Sequence, residues 1–241
     1  MLSMFAMCLF AVVMSAVAQD AAEKALTEAC LAGNADAIQS SAMELLKTGA
    51  YGADKLEYAS NVLSSVEVNG VLFTGSKGDT YPVIMLQYLK NMRTDVRVVH
   101  TDWMKDASYF QRLQSLIGIA GTEATHIQAL SRNMPVYLSL AAGKELISSL
   151  ESNLYCTGLA FKCSAAPLSN VKVMYNQWWK NCGKNYMSSG YSLNSNYLIP
   201  LAMLADYTKA SGLTEANKII RDTYAEVAKS VGEKERIPSM K

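Results

Sequence analysis

The chain is short of histidine, of net charge and of long apolar runs, and each shortage narrows what it can do. Only His100 and His126 serve all 241 residues. Neither has a third ligand at metal-binding spacing, so no metal is expected. The 22 basic residues nearly cancel the 21 acidic ones, which leaves a formal net charge of +1. No global field is available to hold nucleic acid or an anionic bilayer, and no basic patch replaces it. The densest charge run, 233-EKER-236, mixes both signs and reads as a solvated tail. Beyond residues 1–18, no segment is long and apolar enough to span a membrane. Nucleotide motifs are missing as well. The loop 75-GSKGDTYP-82 puts Lys77 before Gly78, so it lacks the G-x-x-x-x-G-K-[ST] spacing of a phosphate loop. Neither G-x-G-x-x-G nor G-x-S-x-G occurs, and no cofactor is expected.

The first stretch, 1-MLSMFAMCLFAVVMSAVAQD-20, has the apolar length of a signal peptide and ends in small-x-small at Ala16-Val17-Ala18. It lacks the usual basic start. The expectation is export to the periplasm or beyond, with a mature end at Gln19 and no stable membrane insertion; the alternative is an uncleaved N-terminal anchor. An exported chain keeps Cys30, Cys156, Cys163 and Cys182. Their spacing is not that of a zinc site. A Cys156–Cys163 bridge across a turn at Thr157-Gly158 is the simplest pairing, and reduced buried thiols are the other possibility.

Half of the residues are apolar and 18% are charged, the balance of a folded chain with a sizeable core. Residues 19–65 read as small-residue helices broken at Gly33-Asn34 and at Gly49 to Gly52. Residues 66–165 read as an α/β domain. It has strands at 70–74, 96–100 and 135–140, a fourth strand or hairpin at 154–163, and helices at 82–93, 107–120 and near 144–151. Strand–helix–strand order implies parallel pairing. Residues 166–232 read as helical, with Pro200 near a break and a tetratricopeptide-like hairpin over 197–232, before the tail 233–241. The fold class is thus α/β: a small, mostly parallel sheet with helices on both faces, flanked by helical hairpins.

Asp79 or Thr80 is expected to cap the helix after the first strand, with Pro82 early enough for its missing N–H to cost little. A carboxylate there occupies the positive end of the helix and repels phosphate. His100 and Asp102 follow the second strand, at the edge where α/β folds place ligands. With Asp79 they are the weak candidates for acid/base chemistry. The stretch 175-YNQWWKNCGKNYMSSGYSLNSNY-197 interleaves aromatic rings with amides, a composition suited to glycans or peptide surfaces. Tyr186, Tyr191, Trp178 and Trp179 are the candidate ligand-binding residues, the tyrosines on an expected exposed loop and the tryptophans with the other possibility of anchoring their helix between sheet and hairpin.

The block 71-VLFTGSKGDTYPVIMLQYLKNMRTDVRVV-99 also carries a resemblance. Asp79-Thr80-Tyr81-Pro82 and Arg93-Thr94-Asp95-Val96-Arg97-Val98-Val99 resemble the soluble C-terminal module of a Bacteroidetes family of multi-spanning membrane proteins related to transmembrane protein O-mannosyltransferases. Weaker similarity extends the match to about residues 45–232. The Gly-Ser-Lys-Gly turn departs from the family's Asp/Asn-rich one, and the membrane-spanning transferase part is absent from this sequence. The resemblance therefore implies a soluble module, not the transferase activity. The expected function is a non-catalytic binding or scaffolding module of the cell envelope, engaging a glycan, glycoprotein or envelope complex. The alternative is an accessory or degenerate glycan-processing enzyme with its site at the strand carboxyl ends.

Overall fold

A computed structural model describes the backbone of residues 2–183 and 191–232, and the side chains of 16–181 and 191–232. Ten α-helices and five strands occur among these residues. In chain order they begin with α1 (Leu2–Ala32), α2 (Ala35–Lys47) and α3 (Ala53–Leu63). The sheet section follows: β1 (Val71–Thr74), α4 (Lys77–Lys90), β2 (Arg97–His100), α5 (Ala107–Ile117), α6 (Ala124–Leu130), β3 (Val136–Ser139), α7 (Lys144–Leu150), β4 (Leu154–Cys156) and β5 (Ala160–Cys163). The chain closes with α8 (Asn170–Met174), α9 (Leu198–Ala210) and α10 (Thr214–Ser230).

The sheet order is β2-β1-β3-β5-β4. Strand β1 pairs in parallel with β2 and β3, while β5 is antiparallel to both β3 and β4. Four of the five strands therefore run the same way, so the sheet is mostly parallel. Strand β2 forms one edge. Strands β1 and β3 are continuously apolar because both of their faces are covered. Leu72 and Tyr137 pack into a core with α3, α4, α9 and α10. Val71, Phe73, Val136 and Leu138 pack on the other face against α5 and its neighbours. A third cluster joins α1 and α2 to α4 through Leu26, Ala42, Leu45, Tyr81 and Ile84.

Several boundaries differ from the sequence reading for local reasons. Helix α4 begins at Lys77, not near residue 82, because the Ser76 side chain accepts the Asp79 N–H at 3.2 Å and caps it. Neither Asp79 nor Thr80 is the cap, and Pro82 lies inside the helix. Replacing Ser76 by alanine should lower stability by about 1 kcal/mol, read from the midpoint of urea unfolding. A 3-10 turn at Thr101–Lys105 and helix α6 were not anticipated. At residues 154–163 the structure has the hairpin β4–β5. The start of the helical region expected over 166–232 is only partly α: after Asn170–Met174 it turns π-helical over Tyr175–Gly183.

Cys30, Cys156 and Cys163 are buried and free. Cys156 joins the core with α3, and Cys163 joins the opposite one, so the hairpin does not bring these sulfurs together. The Cys182 side chain lies outside the described residues. Among the described residues, no helix is long and apolar enough to cross a membrane. Helix α1 runs on past Gln19 into the fold. Glu23 is buried there, accepting hydrogen bonds from Lys77 at 2.8 Å and Tyr51 at 3.2 Å. Lys77 thus anchors α1 to the β1–α4 loop instead of facing a phosphate.

Candidate functional site

The loop after β1 is shaped by a close backbone approach. A Cβ on Gly75 would lie 2.5 Å from the Ala141 carbonyl oxygen, so only glycine lets this loop meet the loop after β3. That approach turns Asp79 inward, to 1% exposure. Its Oδ2 accepts a short hydrogen bond from the Ser139 hydroxyl and a longer one, 3.3 Å, from the Gly75 N–H. Its Oδ1 is buried with no hydrogen-bond partner among the described residues. Burial outweighs the two hydrogen bonds and pushes the Asp79 pKa up to about 6. Beside it, the Thr74 and Thr80 hydroxyls share a hydrogen bond of 2.7 Å. The strand ends thus hold a Ser–Asp pair with a perturbed carboxyl.

His100 does not join this pair. It is buried and stacked on Trp103 with centroids 4.8 Å apart, and its Nδ1 accepts the Asp102 N–H at 3.2 Å. Burial holds its pKa below the usual imidazole value, so it is neutral at pH 7. The Asp102 carboxylate is turned to solvent and paired with Lys105 at 2.6 Å. Asp79, His100 and Asp102 therefore do not converge on one reacting position. Among the described residues, no group of three or more His, Cys, Asp or Glu side chains is placed to hold a metal ion.

Of the aromatic candidates, Trp178 and Trp179 are buried in the core, and the Trp178 indole donates to the Asn61 carbonyl at 3.2 Å. Tyr186 lies outside the described residues. Tyr191 is half-buried, not a free surface ring, and its hydroxyl donates to the Gly78 carbonyl at 2.7 Å. The reason lies in α4. An α-helix bonds the N–H of residue i to the carbonyl of residue i−4, and residue 82 is a proline with no N–H. Gly78 is the carbonyl left over, and Tyr191 satisfies it. Tyr191→Phe should therefore cost about 1 kcal/mol. In a Pro82→Ala background, which restores the N–H, the same change should cost much less; a double-mutant cycle under urea measures the difference.

Around these rings runs a buried polar network. The Asn61 amide donates to the Tyr197 hydroxyl at 2.7 Å, and the Asn196 amide donates to the Tyr58 hydroxyl at 2.8 Å. These groups bond one another, although the Asn61 side-chain oxygen is buried with no hydrogen-bond partner among the described residues.

Open space lies elsewhere. A cleft of about 680 Å³ runs beside β2, floored by residues 96–99 and walled by α2 and α4 on one side and α5 on the other. That volume lies in the range of ligand sites. Tyr88, Trp103, Arg97 and Arg112 line it. Sequence reading missed this site because its residues come from six separate elements, α1, α2, α4, β2, the 3-10 turn and α5, and carry no motif. The signal that existed was Arg97 on an otherwise apolar strand, and it was read only as part of a family block.

Arg93, in the same block, has a structural task. Its Nη1 donates to the Leu63 carbonyl at 2.8 Å and the Val66 carbonyl at 2.9 Å. Its Nη2 reaches the Glu67 carbonyl at 3.1 Å and Asp95 at 2.9 Å, while Nε meets Asp95 at 2.9 Å.

No curated protein and no solved structure matches this chain. Residues 55–117, the run from α3 through β1, α4 and β2 to the end of α5, match the family model of TMEM260-associated domain 2.

Proposed function

We propose that this chain is a glycosyltransferase-associated accessory module of the cell envelope, acting by binding and not by turnover. One observation carries the reading. Apart from one unpaired oxygen of Asp79, the polar groups described at the strand ends are hydrogen-bonded to one another, whereas the cleft beside β2 is lined largely by the segment that matches TMEM260-associated domain 2. The resemblance of Asp79–Pro82 and Arg93–Val99 to a module related to protein O-mannosyltransferases supplies the transferase association. Its ligand is a glycoprotein or another protein of an envelope complex. Export belongs to the same proposal. Cleavage after Ala18 leaves Glu23 and Leu26, the buried residues that dock α1, within the mature chain.

A second reading, a degenerate glycan-processing enzyme, draws on Asp79 alone. A buried carboxyl with a pKa near 6 and an unsatisfied oxygen suits general acid/base work. Two measurements separate the readings. Photo-cross-linking in intact envelopes should join the chain to a multi-spanning glycosyltransferase. The purified protein, given nucleotide-linked or lipid-linked hexose with an acceptor peptide, should show no transfer or hydrolysis above buffer. Turnover that disappears in Asp79→Asn would establish the enzyme instead.

A further inference from the structure

The open edge of β2 is guarded at both ends and bare in the middle. In a parallel ladder alternate residues turn both backbone groups toward the neighbouring strand. The Arg97 N–H donates to the Gly70 carbonyl at 2.9 Å, so Arg97 and Val99 face β1 while Val96, Val98 and His100 face outward. The Val96 carbonyl accepts from the Gln87 side chain at 2.7 Å. The His100 N–H lies against the Tyr109 hydroxyl. Val98 has neither cover, and no partner for its N–H or carbonyl is found among the described residues. It lies on the floor of the cleft between α4 and α5.

The cleft is also positively charged. Arg97 and Arg112 line it against a single carboxylate, Asp36. Each guanidinium is held by a neutral carbonyl: Arg97 by that of Leu116 at 2.9 Å and Arg112 by that of Cys30 at 3.1 Å. Neither arginine belongs to an ion pair among the described residues; the arginine pair found there is Arg93–Asp95. Carbonyl partners fix both groups in place, and although Asp106 at the start of α5 feels the Arg112 charge and Asp36 lines the cleft, neither carboxylate forms an ion pair with either arginine, an arrangement suited to an incoming carboxylate.

We propose that this cleft binds an extended peptide segment of a partner protein as an added strand on β2, paired through Val98 and carrying an acidic residue toward Arg97 and Arg112. This deepens the binding function proposed above and rests on it. Strand addition draws affinity from main-chain hydrogen bonds and specificity from pockets for alternate side chains. The guarded ends decide between occupants. A strand from a second copy of this chain would need several open positions in a row, while a short peptide in a walled cleft needs only one.

A phage-displayed library of random heptapeptides, selected on the full-length chain, supplies the probe. Selected peptides, synthesised with a fluorophore, should bind by anisotropy and share an acidic residue within an alternating apolar pattern. Val98→Pro removes an outward N–H, which an edge strand tolerates, and also alters a side chain packed against the core with α3 and α4. It should weaken binding at least tenfold with the circular dichroism spectrum unchanged. Arg97→Glu, at an exposed side chain, should do the same, and it decides the matter if Val98→Pro does not fold. A selection that yields no binder, or binders indifferent to Arg97→Glu, overturns the proposal. Concentration-dependent dimers that Val98→Pro dissolves would overturn it in favour of a second copy. A transferase cross-link that persists in Arg97→Glu removes the cleft inference and leaves the accessory function standing. A wild-type chain that binds peptide but cross-links to no transferase does the reverse.

Discussion

Arg93→Ala should destabilise the fold by about 3 kcal/mol, a loss close to the upper end for a single side chain near the surface. The guanidinium donates to three carbonyls just after α3 and at its end, at Leu63, Val66 and Glu67. Those carbonyls belong to a helix end and the turn after it, where no intrahelical N–H reaches them. Removing the donor strands the Val66 carbonyl, leaves those of Leu63 and Glu67 with only the backbone N–H groups of Val66 at 3.2 Å and Gly70 at 3.1 Å, and unties α3 from the α4–β2 connection in one step. Arg93 itself sits at φ 47°, a left-handed conformation that side chains other than glycine rarely adopt, so the bonds also hold a strained backbone in place. Lysine cannot substitute, because a single ammonium lacks the planar fork that meets Asp95 and the carbonyls together. The pair with Asp95 adds a pH signature. Hydrogen bonds from Arg93 hold the Asp95 carboxyl down at about 2, against 3.8 for an unperturbed aspartate. That contribution is fully present above about pH 4 and is lost as the pH falls through about 2. The pair is partly exposed and screened, so the carbonyl bonds dominate the total. The midpoint of urea unfolding at pH 7, with an unchanged slope, measures the loss.

Asp79→Asn should act in the opposite direction at neutral pH. Burial raises the Asp79 pKa from 3.8 to about 6. Because the folded value is the higher one, the group favours folding at low pH and that stability drains away as the pH rises through about 6. Between pH 4 and pH 7 the wild-type chain should lose about 2 kcal/mol relative to the asparagine variant. The amide keeps an acceptor for Ser139 and Gly75 and carries no charge to bury. Paired urea titrations at the two pH values test this. A constant difference between the proteins would mean that Asp79 is not burdened by its charge.

The sequence was informative where a single element determined the outcome. Apolar runs at Val71–Phe73 and Val136–Leu138 marked strands, and the strand–helix–strand order of β1, α4 and β2 gave the parallel pairing of the first two. It was uninformative where distant residues met. Nothing local says that Asp79 turns in toward Ser139, 60 positions away, and leaves the cap to Ser76. Nothing local says that Tyr191 completes a hydrogen bond vacated by Pro82. His100 ends the second strand and Asp102 follows it, but stacking on Trp103 and pairing with Lys105 take them away from Asp79. The cleft escaped for the same reason, being a gap between elements and not a property of any one of them.

The most direct measurement asks which of the two sites the partner uses. Intact envelopes carrying wild-type, Asp79→Asn or Arg97→Glu protein would be photo-cross-linked, and the yield of the transferase adduct compared. Arg97→Glu should reduce the adduct at least tenfold while Asp79→Asn retains it, since the proposed binding site is the β2 cleft and not the strand ends. Loss of the adduct in Asp79→Asn, with Arg97→Glu unaffected, would contradict that assignment and return function to the buried carboxyl.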